Sequence, residues 1–244
     1  MKIKDALAIG ANLLKKNKKC SFPFLRAEII LSYILGISRE KLLALENKNI
    51  TLKQERKFKK LIAQHLKGVP IHYLTKEREF FGFSFYVNKN VLIPRPESEK
   101  IIEEALLWIK YIPKKRLCIA DIGTGSGNLG LTLAKILQKK KQINLCLSDV
   151  SKKAIEVAKI NAKRLSINRV KFIKANLLNN LPKNLDIILA NLPYLNQKEI
   201  KGSLKFEPKK SLYGGKEKLE KIKKFLSQSK EYINRGTTIF LECP

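Results

Sequence analysis

The sequence predicts an α/β protein: a parallel, Rossmann-like sheet wrapped by helices and preceded by a small helical block. Three observations lead there. From residue 117 onward, apolar runs at 117–122, 143–147, 170–173, 185–190 and 237–241 alternate with segments of helical spacing near 129–139, 152–165 and 216–233. Such alternation implies right-handed crossovers and parallel strands with helices on both faces. Residues 1 to about 68 carry helical spacing and helix-capping residues instead. Between the two lies an aromatic-rich stretch with strand-like alternation.

The elements follow in order. Ile3, Ala6, Leu7, Leu13 and Leu14 share one helical face. Residues 24–35 form a second apolar helix, closed by Gly36 at a C-cap position. Ser38 can cap a short helix reaching Leu45. Thr51 with Gln54 three residues later is a capping box, opening a helix that ends at Gly68 before Pro70. Residues 80–87 alternate around Gly82, and Val91-Leu-Ile follows Asn88-Lys-Asn; this predicts a β-hairpin with its turn at 88–90. Pro94-Arg-Pro-Glu then opens a helix to about Lys110, with Trp108 expected in the core.

Composition narrows the class. The chain has 244 residues and is 44% hydrophobic, ordinary for a folded chain rather than a disordered one. No run of about 18 apolar residues occurs, so no membrane-spanning helix is expected. The basic start is interrupted by Asp5 and reads as an amphipathic helix, not a secretion signal. Cys20, Cys118, Cys146 and Cys243 form no C-x-x-C pair and have no zinc-like histidine spacing; a reduced cytoplasmic setting without metal is expected. Cys118 and Cys146 read as small core hydrophobes, and His65 and His72 as packing or surface residues. Net charge is +29, which suggests a polyanionic partner such as RNA. Only nine of the 50 basic residues are arginine, however, and the scattered lysines accompany many Asn and Ile. That pattern reads as compositional bias, since nucleic-acid readers favour arginine's bidentate geometry. Direct nucleic-acid binding is allowed by the charge and not required by it.

The first predicted strand ends in Asp121-Ile-Gly-Thr-Gly-Ser-Gly, with glycines at 123, 125 and 127. Glycines at a strand-to-helix turn let backbone approach a ligand closely. The G-x-G-x-G spacing and the absence of a following Lys-Ser/Thr exclude a P-loop. The candidate cofactor site is Asp121, Gly123, Thr124, Gly125, Ser126 and Gly127, with Asp149, Asn176 and Leu177 at later strand ends. Asp149 can accept from ribose hydroxyls. Asp121 can hold the loop or meet an ammonium group. Asn176 can accept from an adenine amino group, with Leu177 as an apolar wall. Together they describe a pocket for S-adenosylmethionine.

The fourth predicted strand ends in Asn191-Leu-Pro-Tyr194. Here the chain resembles the HemK-type peptide chain release factor N5-glutamine methyltransferases, whose tetrapeptide is Asn-Pro-Pro-Tyr. The resemblance spans nearly the whole chain. It includes Pro70-Ile-His-Tyr, Glu79-Phe-Phe-Gly82, Val91-Leu-Ile-Pro-Arg-Pro-Glu-Ser-Glu99, the glycine loop, Phe206-Glu-Pro208 and Gly214-Gly215. Four positions depart from the family pattern: Leu192 replaces the first tetrapeptide proline, His72 a usual Gln, Lys76 a usual Gly and Asn176 a usual Asp.

The resemblance implies catalytic roles for Asn191, Pro193 and Tyr194. Asn191 also borders the cofactor, and Asn191, Leu192, Pro193 and Tyr194 form the substrate-binding segment. An amide nitrogen is a poor nucleophile because its lone pair is delocalised. The Asn191 side-chain oxygen and a main-chain carbonyl of Leu192-Pro193 can accept its two hydrogens and aim the lone pair, mainly a positioning effect. Tyr194 would pack over the planar amide. Arg95 and Glu97 are expected either to shape the site or to form a structural ion pair, and Glu207 to line the substrate entrance.

The implied activity is methylation of the Gly-Gly-Gln glutamine of class I release factors by a cytoplasmic monomer. The rivals are a nucleic-acid amino-methyltransferase and a non-catalytic cofactor-binding module. The expected domains are a helical substrate-binding domain at 1–70, a hairpin linker at 71–96 and a methyltransferase domain at 97–244. That last domain is expected to lack the final two strands of the family's seven-stranded sheet, and so to be part of a longer protein with an exposed strand edge.

Overall fold

The computed structural model describes residues 1–17 and 20–243, in two compact units, Met1–Lys76 and Glu77–Pro244. The first is helical. It contains α1 (Ile3–Lys15), α2 (Pro23–Leu35), α3 (Arg39–Ala44), α4 (Leu52–Leu66) and α5 (Ile71–Thr75). The expected caps are present: Gly36 takes φ 66° after α2, the Ser38 hydroxyl accepts from Lys41 N, and Thr51 and Gln54 exchange both capping-box bonds. Each satisfies backbone groups that a helix end leaves without partners. Ile3, Leu7 and Leu14 of α1 meet Ile30 and Leu31 of α2 and Phe58 and Ile62 of α4 in one core. A Cβ at Gly10 would lie 2.6 Å from the Phe58 ring, so glycine there is what lets α1 and α4 close up.

The second unit opens on a hairpin, β1 (Glu77–Phe80) and β2 (Phe83–Tyr86), in register Phe80↔Phe83. This corrects the hairpin expected across 80–93. The turn is Phe81-Gly82, not 88–90, and both residues have positive φ, 50° and 75°. That is the geometry of the two-residue turn whose twist matches the strands. The continuous aromatic run concealed it. Phe81 tolerates the conformation because its N–H is held by the Glu99 carboxylate at 2.8 Å, while Phe80 and Phe85 stack edge-on in the core. Residues 91–93 form no strand, with Val91 and Ile93 buried and Leu92 half-buried. The expected linker at 71–96 therefore divides: 71–75 is helix of the first unit, and the hairpin is part of the second. Lys76 adopts φ 61°.

After the hairpin come α6 (Glu99–Ile109), β3 (Arg116–Ile122), α7 (Asn128–Leu137), β4 (Gln142–Asp149), α8 (Lys152–Arg164), β5 (Val170–Lys174), β6 (Ile187–Asn191), α9 (Glu220–Ser229) and β7 (Thr238–Glu242). The five strands β3–β7 are parallel, in the order β5-β4-β3-β6-β7. Alternating residues serve the two faces. Leu117 and Ile119 of β3 and Ile187 and Leu189 of β6 pack under α6, α7 and α8. Ala120, Ile122, Ile188 and Ala190 pack with Ile222 and Phe225 of α9 on the other face. Trp108 is half exposed, against the expectation of a core position. The buried face of α6 is Ile101, Ile102, Ala105 and Ile109, and position 108, three residues after 105, falls at the rim of that face and not at its centre. Among the described residues, no helix is long and apolar enough to cross a membrane.

Candidate active site

The strand order reverses direction at β3. In such sheets the crevice beyond the strand ends at the reversal is the ligand-binding place. β3 lies between β4 and β6, so the glycine loop that follows it faces the ends of both neighbours.

The loop is tied down by two carboxylates. Asp121 is buried, and its Oδ2 accepts from Thr124 Oγ1 at 2.7 Å and from Gly130 N at 3.0 Å. Burial pushes its pKa up to about 6, against the lowering effect of those two bonds. Asp149 ends β4. Its Oδ2 accepts from Gly125 N at 3.0 Å and its Oδ1 from Ser151 N at 2.8 Å. Burial raises its pKa as well, partly offset by those donors. Thr124 N donates to the Ser148 carbonyl, closing the loop onto β4. Gly127 holds φ 83°, and a Cβ there would lie 2.7 Å from Leu131, so the turn into α7 requires glycine.

At the end of β6, Asn191 pairs in register with Glu242, the last residue of β7. Asn191 Nδ2 donates to Ser98 Oγ and to Glu242 Oε2, each at 2.8 Å. Ser98 Oγ donates to the same Glu242 oxygen, and Tyr194 OH donates to Oε1 at 3.2 Å. Burial, then the Glu242 charge, raises the Tyr194 pKa and keeps the phenol neutral. The Leu192 side chain is buried in the core below, against the glycine loop: a Cβ at Gly123 would meet it at 3.4 Å. Residues 193–195 are fastened by hydrogen bonds from Leu195 N to Leu212 O and from Gly214 N to Leu195 O. A Cβ at Gly214 would sit 2.6 Å from the Pro193 carbonyl oxygen, which explains glycine at that position.

Two clefts adjoin here. One is lined by residues 123–126, Asp121 and Asn128 of the glycine-loop side together with Ser98. The other is lined by residues 192–195 with Leu204, Leu212 and Glu242. Leu92, Arg95 and Asn191 line both. Arg95 Nη2 is paired with Glu207 Oε1 at 2.6 Å, and Glu207 Oε2 accepts from Ile93 N at 3.0 Å. That pair fixes residues 93–95 beside the clefts.

Sequence comparisons coincide with this layout. A family model described as the PrmC N-terminal domain matches residues 5–75, and one described as the methyltransferase small domain matches 100–207. The release factor glutamine methyltransferase of Borreliella burgdorferi is 40% identical over 222 residues, covering 89% of this chain and 76% of that one. Its counterpart from Bacillus cereus is 33% identical over 250 residues, covering 99% and 86%. The one from Buchnera aphidicola subsp. Acyrthosiphon pisum is 34% identical, covering 90% and 78%. The chain belongs to the release factor glutamine methyltransferase family.

Within that family framework, the structure gathers most of the residues singled out from the sequence. Asp121, Gly123, Thr124, Gly125 and Ser126 line the first cleft, Leu192, Pro193 and Tyr194 the second, and Asn191 both. Gly127 caps α7 behind the loop. Asp149 lines neither cleft and is linked to the first through the hydrogen bond it accepts from Gly125 N. Asn176 is exposed just past β5, and Leu177, at φ 55°, packs against the α9-side core. Ala175 N donates to the Asp149 carbonyl, so the ends of β4 and β5 are joined at this point. Arg95 and Glu207, two residues left open, form one ion pair, with Glu207 buried and Arg95 part-exposed.

Three residues were missed. Glu242 reaches Asn191 only through the parallel register of β6 and β7. A carboxylate ending an apolar strand at the ligand edge of the sheet was the available signal. Ser98 sat inside a quoted motif without a role. Asn161 of α8 is fully buried; it accepts from Tyr86 N and donates to Tyr86 O and Ser126 O, joining the hairpin to the glycine loop.

Proposed function

We propose that this chain transfers a methyl group from S-adenosylmethionine to the side-chain amide nitrogen of the glutamine in the Gly-Gly-Gln motif of class I release factors. The observation that carries the reading is the place of Asn191, at the junction of the glycine-loop cleft and the Leu192–Tyr194 cleft. Membership of the family supports the substrate.

The residues present fit the cofactor. A buried carboxylate with no cationic partner among the described residues suits an ammonium group, and Asp121 provides it beside a glycine-walled turn. Asp149 uses one acceptor site on each oxygen for backbone, leaving others for ribose hydroxyls. Asn176 and Leu177 lie one strand further on, suited to the base. Bound there, S-adenosylmethionine supplies an electrophilic sulfonium methyl. The chain's own part is positioning. Asn191 Oδ1 accepts one amide hydrogen of the substrate glutamine. The Leu192 carbonyl accepts the other, since the Pro193 carbonyl lies against Gly214. Tyr194, neutral and anchored on Glu242, covers the amide plane. These contacts orient the nitrogen lone pair for in-line displacement, with no covalent enzyme intermediate. A release factor substrate is consistent with a cytoplasmic enzyme acting on a protein.

The test uses labelled S-adenosylmethionine with a release factor, the same factor carrying Gln→Ala in Gly-Gly-Gln, and bare RNA. Label is expected in the first only. Equal labelling of the Ala variant or of RNA, at any salt concentration, would instead favour a nucleic-acid or non-specific amino-methyltransferase, whose binding should weaken steeply with salt.

A further inference from the structure

The hydrogen-bond triangle around Asn191 has a single consistent assignment of donors and acceptors. A carboxylate only accepts, so Glu242 Oε2 must face hydrogens. Asn191 therefore turns its NH2 toward Glu242, one hydrogen to Oε2 and one to Ser98 Oγ. Ser98 has one hydroxyl hydrogen and gives it to Oε2. Both Nδ2 hydrogens are consumed, and no described residue donates to Asn191 Oδ1. With the NH2 locked against β7 and α6, Oδ1 points the other way, and Asn191 lines both clefts. Without Glu242 the two ends of the Asn191 amide would be nearly isosteric, and either could face the cleft. A flipped amide would present a donor to the donor group of the substrate.

We infer that Glu242, with Ser98, is a positioning residue of the methyl-transfer site: its carboxylate fixes the Asn191 amide with the acceptor oxygen toward the substrate and anchors the Tyr194 hydroxyl with its second oxygen. This rests on the proposed role of Asn191 as acceptor for the substrate amide. It sets the specificity of the site for a group that donates two hydrogens, a primary amide or an amine, over an acceptor.

Geometry rather than charge is the requirement, which separates the idea from a general-base role. In Glu242→Gln the side-chain oxygen can still accept from Asn191 and Ser98, while the new NH2 faces the Tyr194 oxygen, which can accept. Glu242→Ala removes every anchor. Expected kcat losses are within about tenfold for Glu242→Gln and about 100-fold or more for Glu242→Ala, the scale for losing one aligned group. KM for the release factor and S-adenosylmethionine affinity should change little. In an Asn191→Ala background, Glu242→Ala should cost only the share that passes through Tyr194, well below its effect in the wild type, the mark of two residues that act largely through one contact. If Glu242→Gln is as inactive as Glu242→Ala, or if the losses add fully in the double variant, the positioning role is wrong.

A second measurement needs no turnover. The Asn191 side-chain NH2, assigned in amide NMR spectra by its disappearance in Asn191→Asp, should exchange slowly in the wild type. It should lose that protection in Ser98→Ala and in Glu242→Ala, with backbone spectra preserved. Unchanged protection in both overturns the lock. If the wild type fails to methylate a release factor yet shows this loss, the substrate reading fails and the lock stands.

Discussion

Asp121 spends its ionisable group on holding a loop, and the cost shows in its pKa. Burial raises it to about 6, well above the usual aspartate value. Between roughly pH 4 and 6 the folded chain keeps a proton that the unfolded chain has lost, so this group's contribution to stability falls as pH rises through that interval. The difference across it is about 3 kcal/mol. Asp121→Asn keeps an oxygen for Thr124 and Gly130 and removes the titration. Denaturant unfolding at pH 4 and pH 7.5 should therefore show the variant gaining on the wild type at the higher pH; a gap independent of pH would exclude this account. Cofactor affinity has the opposite sign. An ionised Asp121 is needed to meet an ammonium group, so wild-type affinity should rise as pH passes about 6. At Asp149, alanine should weaken S-adenosylmethionine binding by about 1.5–3 kcal/mol, the scale for bonds to a charged acceptor. Calorimetry showing unchanged affinity would remove Asp149 from the ribose site.

At the scale of elements, the glycine loop is held from outside its own βα unit. Asn161 on α8 bonds both backbone groups of Tyr86 and the Ser126 carbonyl, so the hairpin and the loop share one buried amide. Asn161→Ala leaves those groups buried without partners, at a cost of about 3 kcal/mol. Hydrogen exchange should then rise at Tyr86 and through residues 124–127 together. Faster exchange in the hairpin alone would show that Asn161 does not couple the two. The hairpin also shows why element boundaries mislead. Alternation of aromatics gave strand character over the whole stretch, but Glu99, 18 residues past Phe81, stabilises the turn at Phe81-Gly82.

For the whole molecule, two compact units permit separate readouts. The single tryptophan, Trp108, is on α6 of the second unit, half exposed, and reports that unit's unfolding. A ligand at about 100 times its Kd stabilises the state it binds by about 2.7 kcal/mol. S-adenosylmethionine at that excess should shift the Trp108-detected transition accordingly. No shift at saturating cofactor would refute a cofactor site in the second unit. The charge of +29 is carried mostly by lysine. No step of the proposed chemistry draws on it.

The sequence by itself determined the order and type of the longer helices and the five parallel strands, because hydrophobic period, caps and glycine turns are local signals; the short helix at Ile71–Thr75 was missed. It also placed the two chemical motifs at strand ends, where a reversal of strand order brings them together. What only the tertiary structure decided is how those motifs are held. Glu242 is 51 residues from Asn191 and 48 from Tyr194, Ser98 is 93 from Asn191, and Glu207 is 112 from Arg95. No local pattern reports such pairs. They exist because parallel register sets the ends of β6 and β7 side by side and α6 packs against the same edge. In that crowded place a carboxylate that can only accept leaves the Asn191 amide one orientation.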